Sequence, residues 1–389
     1  MNCLRKSPAI HRGSNMIKVP LNNKILDYII RIEQNKTAVS SVRLPVSLSD
    51  RMRKNSKKRS AYSSNKIEGN PLSREQAEDV IDYDERKHLL KPEQEIRNYY
   101  LALNYLEERS AKKERFSKKL ILDVQSFVEK GASKEKIGLR GPMPPGVLFA
   151  VYDSQTGTPE YIPPEYSDIP GLLDELVEYV NSTDDHPLIV AAIVHYQMVT
   201  IHPFEDGNGR TARLLSGYIL NINGYGFNGL GSLEEYFAYD VNEYYESIQM
   251  GLPALYYSGR NEPPHPEIWA EYFLRMVLLY SEKVRQISEG SNEDTVRDGL
   301  SHLKRCDKEF LLFLLENAED MFTPIDVGRR KGVSNRTAIN RLSVLAANGF
   351  VIPHMVKERI TAYELSEYTK ENCDAIRGYL EREESRSCK

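Results

Sequence analysis

The chain has 389 residues, of which 40% are hydrophobic, and this length suffices for two or three domains with cores of their own. Its 52 Lys and Arg residues face 56 Asp and Glu residues, which gives a formal net charge of −4. This near balance excludes a general attraction to nucleic acid or to an anionic membrane, so any such contact needs a local patch.

Four cysteines are scattered along the chain, at Cys3, Cys306, Cys373 and Cys388, without a CxxC pair or a Cys/His cluster. This spacing supports neither a zinc site nor a disulfide framework, and it fits a reducing compartment. The first residues lack the apolar run of a signal peptide, and no stretch reaches the ~18 apolar residues of a membrane span. We therefore expect a soluble, cytoplasmic protein that makes no membrane contact.

The spacing of apolar residues predicts a mainly α-helical chain. Helical patterns cover residues 25–33, 73–81, 92–108, 117–129, 169–182, 187–200, 232–250 and 266–288. The helix at 187–200 is apolar almost all round, which is typical of a buried core helix. Residues 138–166 are rich in Gly and Pro, and they contain extended segments at 147–152 and 160–162 that predict a small β-hairpin.

One segment, residues 202–213 with the sequence HPFEDGNGRTAR, concentrates groups suited to phosphate chemistry. Its Gly-Asn-Gly turn lets the backbone approach a ligand, and the helix that follows offers free N–H groups and a positive dipole end. Arg210 and Arg213 add positive charge for phosphate oxygens, and Asp206 is a hard ligand for Mg²⁺. His202 can take a proton at neutral pH.

A purely structural interpretation of this segment makes His202 a satisfied core histidine and uses the glycines only to turn the chain. That interpretation must account at once for a histidine, an acid, a Gly-Asn-Gly turn and two spaced arginines. A magnesium-bound polyphosphate accounts for all of them together.

Residues 202–213 match every defined position of HxFx[D/E]GNGRxxR, and by this motif the chain resembles the Fic (Fic/DOC) family over roughly residues 60–280. The resemblance implies transfer of AMP from ATP to a Tyr, Thr or Ser hydroxyl of a protein, with His202 as the base. It implies Mg²⁺ on Asp206, the γ-phosphate on Arg213 and Phe204 as a buried anchor. The residues that it places around the nucleotide are Asp206, Gly207, Asn208, Gly209, Arg210, Thr211 and Arg213.

Two more features are expected from the same resemblance. The hairpin at 147–164 stands where family members carry a flap that holds the target by strand addition, and self-modification is a further option. Tyr239, Tyr244 and Tyr245 stand where family members contact the base, although Val241 replaces a preceding arginine. The structural alternatives are an ordinary hairpin and core tyrosines at helical spacing.

Residues 64–69, Ser-Asn-Lys-Ile-Glu-Gly, indicate the end of a helix at which Glu68 lies close to the negative dipole end. An acid there makes sense beside a cation. The segment also matches the inhibitory motif [S/T]xxxE[G/N] of Fic proteins. By that resemblance Ser64 seats the helix, Gly69 ends it, and Glu68 pairs with Arg213 so that the γ-phosphate cannot take its productive position.

Residues 301–368 resemble a winged helix-turn-helix module, in which Ile339, Leu342 and either Leu345 or Ala346 are expected to face inward. The predicted N-caps are Thr323 and Ser334, and the predicted wing strands are 349–353 and 360–365. The predicted DNA-facing residues of its recognition helix are Arg336, Asn340 and Arg341. Since the net charge of residues 301–365 is only about +2, weak DNA contact and protein contact both stay open.

The sequence thus predicts a mainly α protein with a Fic-type helical core, a small flap and a C-terminal winged helix. The predicted parts are a helical region 1–115, a catalytic core 116–286, a linker 287–300, a winged-helix-like module 301–368 and a tail 369–389. Removal of AMP, transfer of another phosphate-bearing group and ATP-sensing DNA binding remain alternative functions. A monomer and a homodimer are both compatible with the sequence.

Overall fold

The computed structural model describes residues 16–41, 46–82, 88–132, 137–147, 149–152, 159–253, 262–288, 293–317, 321–356 and 359–387. Cys3, Cys388 and the turn predicted within the first hairpin lie outside these residues, whereas Cys306 and Cys373 are free thiols. Within the described ranges, no helix combines the length and the apolar character needed to cross a membrane.

The described chain is mainly α-helical, as predicted. Its helices are α1 (Asn23–Ser41), α2 (Val46–Ile67), α3 (Arg74–Asp82), α4 (Lys91–Ala111), α5 (Lys118–Glu129), α6 (Ile169–Ser182), α7 (Pro187–Ile201), α8 (Asn208–Ile222), α9 (Glu234–Phe237), α10 (Val241–Gln249), α11 (Pro266–Ser288), α12 (Glu293–Leu300), α13 (Arg305–Asn317), α14 (Pro324–Lys331), α15 (Asn335–Ala347), α16 (Glu367–Glu371) and α17 (Cys373–Ser387). Its strands are β1 (Val151–Tyr152), β2 (Pro159–Tyr161), β3 (Val351–Val356) and β4 (Arg359–Leu365). They pair as two antiparallel hairpins, β1–β2 and β3–β4.

One compact unit comprises Ala61–Asn223, Phe237–Arg275 and the N-terminal residues up to Asp27. At its centre lies α7, in which every residue except Pro187 and Val199 is buried. Helices α6 and α8 pack against α7, and α8 also packs against α4 and α5. A helix that is apolar on every side needs neighbours all round, so α7 gives its C-terminal end a firm support.

The other compact unit comprises Tyr28–Ser60, Gly224–Tyr236 and the chain from Met276 onward. Helices α13, α14 and α15 precede the hairpin β3–β4, which is the element order expected from the sequence. Thr323 and Ser334 cap α14 and α15 as predicted. The assignment of this region as a winged helix stays a prediction.

The structure differs from the sequence prediction at two places in the middle of the chain. The helix predicted over 232–250 is divided into α9 and α10, because Asp240 begins a new helix by accepting the N–H of Glu243. The linker predicted at 287–300 contains α12, in which Leu300 is buried. Polar composition alone therefore misled the prediction, since one or two buried apolar residues suffice to fix so short a helix.

The tail predicted at 369–389 is also a misassignment, because most of it forms α17. Ile376 and Leu380 are buried and lie one helical turn apart among charged neighbours. This apolar stripe is too narrow to stand out in a sequence window of mixed charge, yet it packs against α12 and α13 within its own unit.

Helix α15 buries most of the positions predicted for it, and one of them is shifted by a residue. Its buried positions are Ala338, Leu342 and Leu345. Ile339 is 42% exposed, so its inward assignment is wrong by one position. Arg341 donates to the buried carboxylate of Asp307 at 2.7 Å, and 29% of its side chain is exposed. Arg336 and Asn340 are exposed.

Candidate active site

The site begins where α7 ends, at His202, which adopts a left-handed conformation with φ 48° and ψ 57°. The residue before a proline avoids the helical region, and Pro203 follows directly. His202 Nδ1 lies 3.2 Å from the carbonyl oxygen of Val199. Because a carbonyl can only accept, Nδ1 carries the hydrogen and Nε2 keeps its lone pair. Burial lowers the pKa of His202 to about 4, so the ring is neutral at pH 7.

The loop after His202 is held in shape by Phe204 and Asn208. Phe204 is fully buried, as expected of an anchor. Its N–H donates to Asn208 Oδ1 at 3.0 Å, and Asn208 Nδ2 donates to its carbonyl at 2.9 Å. The Asn208 side chain is therefore occupied with the loop itself. What it can offer a ligand is its backbone N–H at the first position of α8.

Arg140 supports the same loop from outside it and was missed in the sequence. Its backbone N–H donates to Pro203 O and its Nε to His202 O, both at 2.9 Å, while Nη2 donates to Pro164 O. The guanidinium lies 4.7 Å from the ring centre of Phe149. Arg140 thus connects the loop after His202 to residues that flank the hairpin β1–β2. The available signal was a charged residue inside a Gly- and Pro-rich stretch.

The glycines of the loop make room for two acidic side chains. Gly207 has φ 81°, and a Cβ there would overlap Oε1 of Glu129. A Cβ at Gly209 would overlap Oε1 of Glu68. With glycine at both positions, the two carboxylates lie close to the N-terminus of α8, whose first N–H groups have no partner within the helix. These groups and the dipole end form an anion site.

Arg213 is buried, and most of its hydrogen bonds go to the segment that carries the inhibitory motif. Its Nε donates to Ser64 Oγ at 2.8 Å, and its Nη2 donates to Ser64 O at 3.0 Å and to Glu68 Oε1 at 2.5 Å. The ion pair predicted between Glu68 and Arg213 is therefore present. Burial alone would lower the pKa of Arg213, but the Glu68 carboxylate holds it above its usual value.

The segment that carries Glu68 ends α2 as the sequence predicted. The chain leaves the helix after Ile67, and Gly69 adopts φ 81°. Asn70 N donates to Asn65 O at 3.0 Å, which closes the turn. Asn65 is fully buried and donates to Ala61 O at 2.8 Å. Glu68 therefore reaches Arg213 from a well-fixed helix end.

Arg210 has a different set of partners, two of which the sequence did not suggest. Its Nη2 lies 2.9 Å from Glu129 Oε1 and 3.1 Å from Asp206 Oδ1, and its Nη1 lies 3.6 Å from Glu95 Oε1. Arg210 and Glu129 each have only 3% of their side chains exposed. Burial raises the pKa of Glu129 to about 7. Glu95 and Glu129 lie far from the motif in sequence, so the motif could not reveal them.

Asp206 is the loop residue suited to a divalent cation. Its Oδ1 accepts from Gly207 N and from Arg210, whereas its Oδ2 lies 3.7 Å from Lys91 Nζ. The side chain is 36% exposed. One such carboxylate fits Mg²⁺, which takes its other ligands from phosphates and water. Within the described ranges, no cluster of three or more His, Cys, Asp or Glu residues could hold a metal ion without those ligands.

The remaining residues that were predicted to contact the nucleotide differ widely in burial. Thr211 is fully buried within α8, so its side chain faces the core rather than a ligand. Tyr244 is also buried, and its hydroxyl lies 3.4 Å from Arg213 Nη1. Tyr245 is 44% exposed and Tyr239 is 93% exposed. The Tyr244 hydroxyl therefore lies beside Arg213, whereas Tyr239 stays at the surface.

Comparison with known proteins agrees with this geometry. Residues 115–220 match the model of the Fic/DOC family. The protein adenylyltransferase Fic of Drosophila virilis is 28% identical over 204 residues, which cover 51% of this chain and 39% of that protein. The protein of the same name from Aedes aegypti is 30% identical over 203 residues, covering 50% and 38%. The chain thus spans less than half the length of these curated relatives.

Solved structures share the fold. A Fic family protein from Desulfovibrio desulfuricans superposes with a TM-score of 0.58 at 19% identity, covering 90% of this chain and 98% of that one. Fic-1 from C. elegans superposes with a TM-score of 0.52 at 24% identity, covering 69% and 72%. At these identities the likeness establishes the helical Fic architecture.

Proposed function

The chain belongs to the Fic family through its domain at residues 115–220, and from that premise we propose that it transfers AMP from ATP to a protein hydroxyl. Curated relatives that match half of the chain carry the name protein adenylyltransferase. The observation that carries the proposal is a neutral His202 at the end of α7, followed in the chain by a helix N-terminus that carries two arginines.

His202 is suited to act as the general base. Its Nδ1–H is held by Val199 O, so the lone pair of Nε2 is directed to a reactant. The neutral ring takes the proton of the target hydroxyl as that oxygen attacks the α-phosphorus of ATP. The bond from the α-phosphorus to the bridging oxygen then breaks, and pyrophosphate leaves with the electron pair.

The phosphates are bound by the first turn of α8 and by the loop arginines. Backbone N–H groups from Asn208 onward face the anion, and Gly209 lets it come close. Arg210 and Arg213 supply positive charge at either side of this turn. Mg²⁺ held by Asp206 and the phosphates would neutralise charge that develops on the leaving pyrophosphate.

Glu68 acts as a brake on this site. The guanidinium of Arg213 is engaged by Ser64 and Glu68, and the γ-phosphate would compete with Glu68 for the same Nη2. A phosphate that cannot reach Arg213 leaves the α-phosphorus out of line with the attacking hydroxyl. Withdrawal of Glu68 therefore activates transfer, including transfer onto the enzyme itself.

The hairpin β1–β2 is placed to present the target. The Tyr161 hydroxyl, on β2, donates to the carbonyl of Thr200, which lies two residues before His202 in the chain. This hydrogen bond ties β2 to the end of α7. Val151 pairs with Tyr161 in the antiparallel register. A target segment that adds to the edge of this hairpin would bring its hydroxyl to the catalytic histidine.

The test uses ATP labelled at the α-phosphate, with the wild type and Glu68→Gly incubated in cell lysate. We expect strong labelling of protein by Glu68→Gly, weak labelling by the wild type, and an AMP adduct by mass spectrometry. ATP labelled at the γ-phosphate serves as the control, since kinases of the lysate transfer this label and its amount should not rise with Glu68→Gly. Adding His202→Ala to Glu68→Gly should abolish labelling while Mg·ATP still binds. A folded Glu68→Gly protein without affinity for Mg·ATP would refute the proposal.

A further inference from the structure

Beneath Arg213 lies a closed circuit of hydrogen bonds that begins and ends in this residue. Arg213 Nη1 lies 3.4 Å from Tyr244 Oη, and Tyr244 Oη lies 2.8 Å from His195 Nε2. His195 Nδ1 lies 3.3 Å from Ser216 Oγ, which donates to Arg213 O at 3.0 Å. The bonds from Tyr244 to His195 and from Ser216 to Arg213 are of ordinary length, and the other two are longer. Each of these buried polar groups has its partner in the circuit.

The direction of each bond follows from the chemistry of the groups. Ser216 has one hydroxyl hydrogen and gives it to a backbone carbonyl, so it must accept from His195 Nδ1–H. A neutral imidazole that carries its hydrogen on Nδ1 has a lone pair on Nε2. Tyr244 therefore donates to Nε2, which leaves the lone pairs of its oxygen to face Arg213. The guanidinium, which has no acceptor, can only donate to them.

The surroundings keep this direction fixed. His195 is fully buried and Tyr244 is 1% exposed. The rings of Trp269, Phe237 and Phe273 lie 4.9, 5.7 and 6.1 Å from the His195 ring. Burial, with the nearby Arg213, moves the pKa of His195 well below its usual value, so the ring stays neutral. A neutral, enclosed histidine that touches no reactant suits a positioning role.

The other hydrogen bonds of the Arg213 guanidinium come from the segment 64–69 that carries the inhibitory motif. Ser64 and Glu68 both lie on this segment, four residues apart. Tyr244 comes from α10 on the opposite side. Among the described residues that hydrogen-bond to the guanidinium, it alone is independent of the inhibitory segment.

We propose that Tyr244, His195 and Ser216 are positioning residues that hold the Arg213 guanidinium ready for the terminal phosphate of ATP when the brake is released. The inference deepens the proposed function and rests on it. It gives Tyr244 a role that differs from stacking on the base, because its ring is buried and its hydroxyl serves the arginine. The circuit is thus the counterpart of Glu68, since it binds the same guanidinium from the core side.

The test compares the binding of a non-hydrolysable ATP analogue and of ADP, each with Mg²⁺, by calorimetry in the Glu68→Gly background. Adding Tyr244→Phe deletes one hydroxyl and should weaken the ATP analogue by about tenfold while ADP changes by less than about twofold. Tyr272→Phe is the matched control, because Tyr272 lies in the same aromatic cluster, 6.3 Å from the Tyr244 ring, but outside the circuit. It should leave both affinities unchanged.

Each other outcome overturns the inference. An equal loss for the ATP analogue and ADP would place Tyr244 at the base or at the inner phosphates. No loss for either nucleotide would make the circuit irrelevant to Arg213 while the proposed function stands. Absence of all nucleotide binding in Glu68→Gly itself would refute the proposed function and the inference together. If Tyr244→Phe does not fold, Ser216→Ala, which removes the acceptor of His195, should lower only the affinity for the ATP analogue, by a smaller factor.

Discussion

Arg210 and Arg213, in the first turns of α8, are each paired with an acid from another part of the chain. The two acids differ in how far their side chains are exposed to solvent. Glu68 follows the end of α2 and keeps 34% of its side chain exposed, whereas Glu129 ends α5 with 3% exposed. Both arginines are buried, but Glu68 can turn its carboxylate into water, whereas Glu129 has almost no exposed surface. Under the proposed function, Arg213 is therefore the arginine whose acid can be displaced, and Arg210 is the one held by a buried partner.

The largest expected effect concerns the buried pair. Because burial raises the pKa of Glu129 to about 7, the folded state binds this proton more tightly than the unfolded chain. The stabilisation is present below the unfolded pKa and is lost as the pH rises towards 7. Relative to Glu129→Gln, the wild type should lose on the order of 3 kcal/mol of unfolding free energy between pH 4.5 and pH 8. Urea unfolding of both proteins at these two pH values measures the difference.

Parallel pH dependence in the wild type and Glu129→Gln would contradict the proposed burial of this proton. Glu68→Gln, which changes the partly exposed acid instead of the buried one, is the control. Because this variant keeps Glu129, it should keep the pH-dependent loss of unfolding free energy that Glu129 causes.

The second effect tests the removable pair by a double-mutant cycle. A charge-assisted hydrogen bond of this kind is worth about 1.5–3 kcal/mol, so Glu68→Gly should raise AMP transfer about 10- to 100-fold. In an Arg213→Ala background, the same change should alter the rate less than about twofold, because the brake has lost its partner. Rates of label transfer from ATP in the four proteins complete the cycle. Equal activation in both backgrounds would mean that Glu68 acts elsewhere.

The smallest effect concerns His202, which lies at the start of the loop that both arginines follow. Burial lowers its pKa to about 4, so the base is already deprotonated at neutral pH. In Glu68→Gly, kcat/KM for transfer should change less than about twofold between pH 6 and pH 8, with loss of activity only towards pH 4. Glu68 raises this pKa, so its removal cannot move the acid limb upward. An acid limb near the unperturbed value of about 6.5 would contradict the assignment.

The features that the sequence and the structure share in this site are those contained in a short segment. His202, Phe204 and the pairing of Glu68 with Arg213 all follow from two motifs, each only a few residues long. The helices of the first unit were equally accessible, because α7 and its neighbours carry strong apolar patterns. Local geometry and strong periodicity are the information that a single sequence contains.

The residues that it missed act across long stretches of chain. Glu129, Arg140 and His195 reach the loop from other elements, and nothing in their neighbouring residues announces those contacts. Asn208 shows a different difficulty, because its backbone and its side chain serve different purposes and only the fold separates them. Tyr244 was placed near the nucleotide by resemblance, but its hydroxyl, not its ring, is the functional group that the structure presents.

The space above Gly209 holds the Glu68 carboxylate, and this limits how the enzyme can change over evolutionary time. Any larger residue there would push that carboxylate out of place, so it would disturb the proposed inhibition and narrow the nucleotide's approach in a single step. A permanently active form therefore cannot arise from a larger residue at Gly209 without impairing catalysis. It can arise from substitutions between Ser64 and Gly69, where inhibition can be tuned while the loop after His202 is left intact.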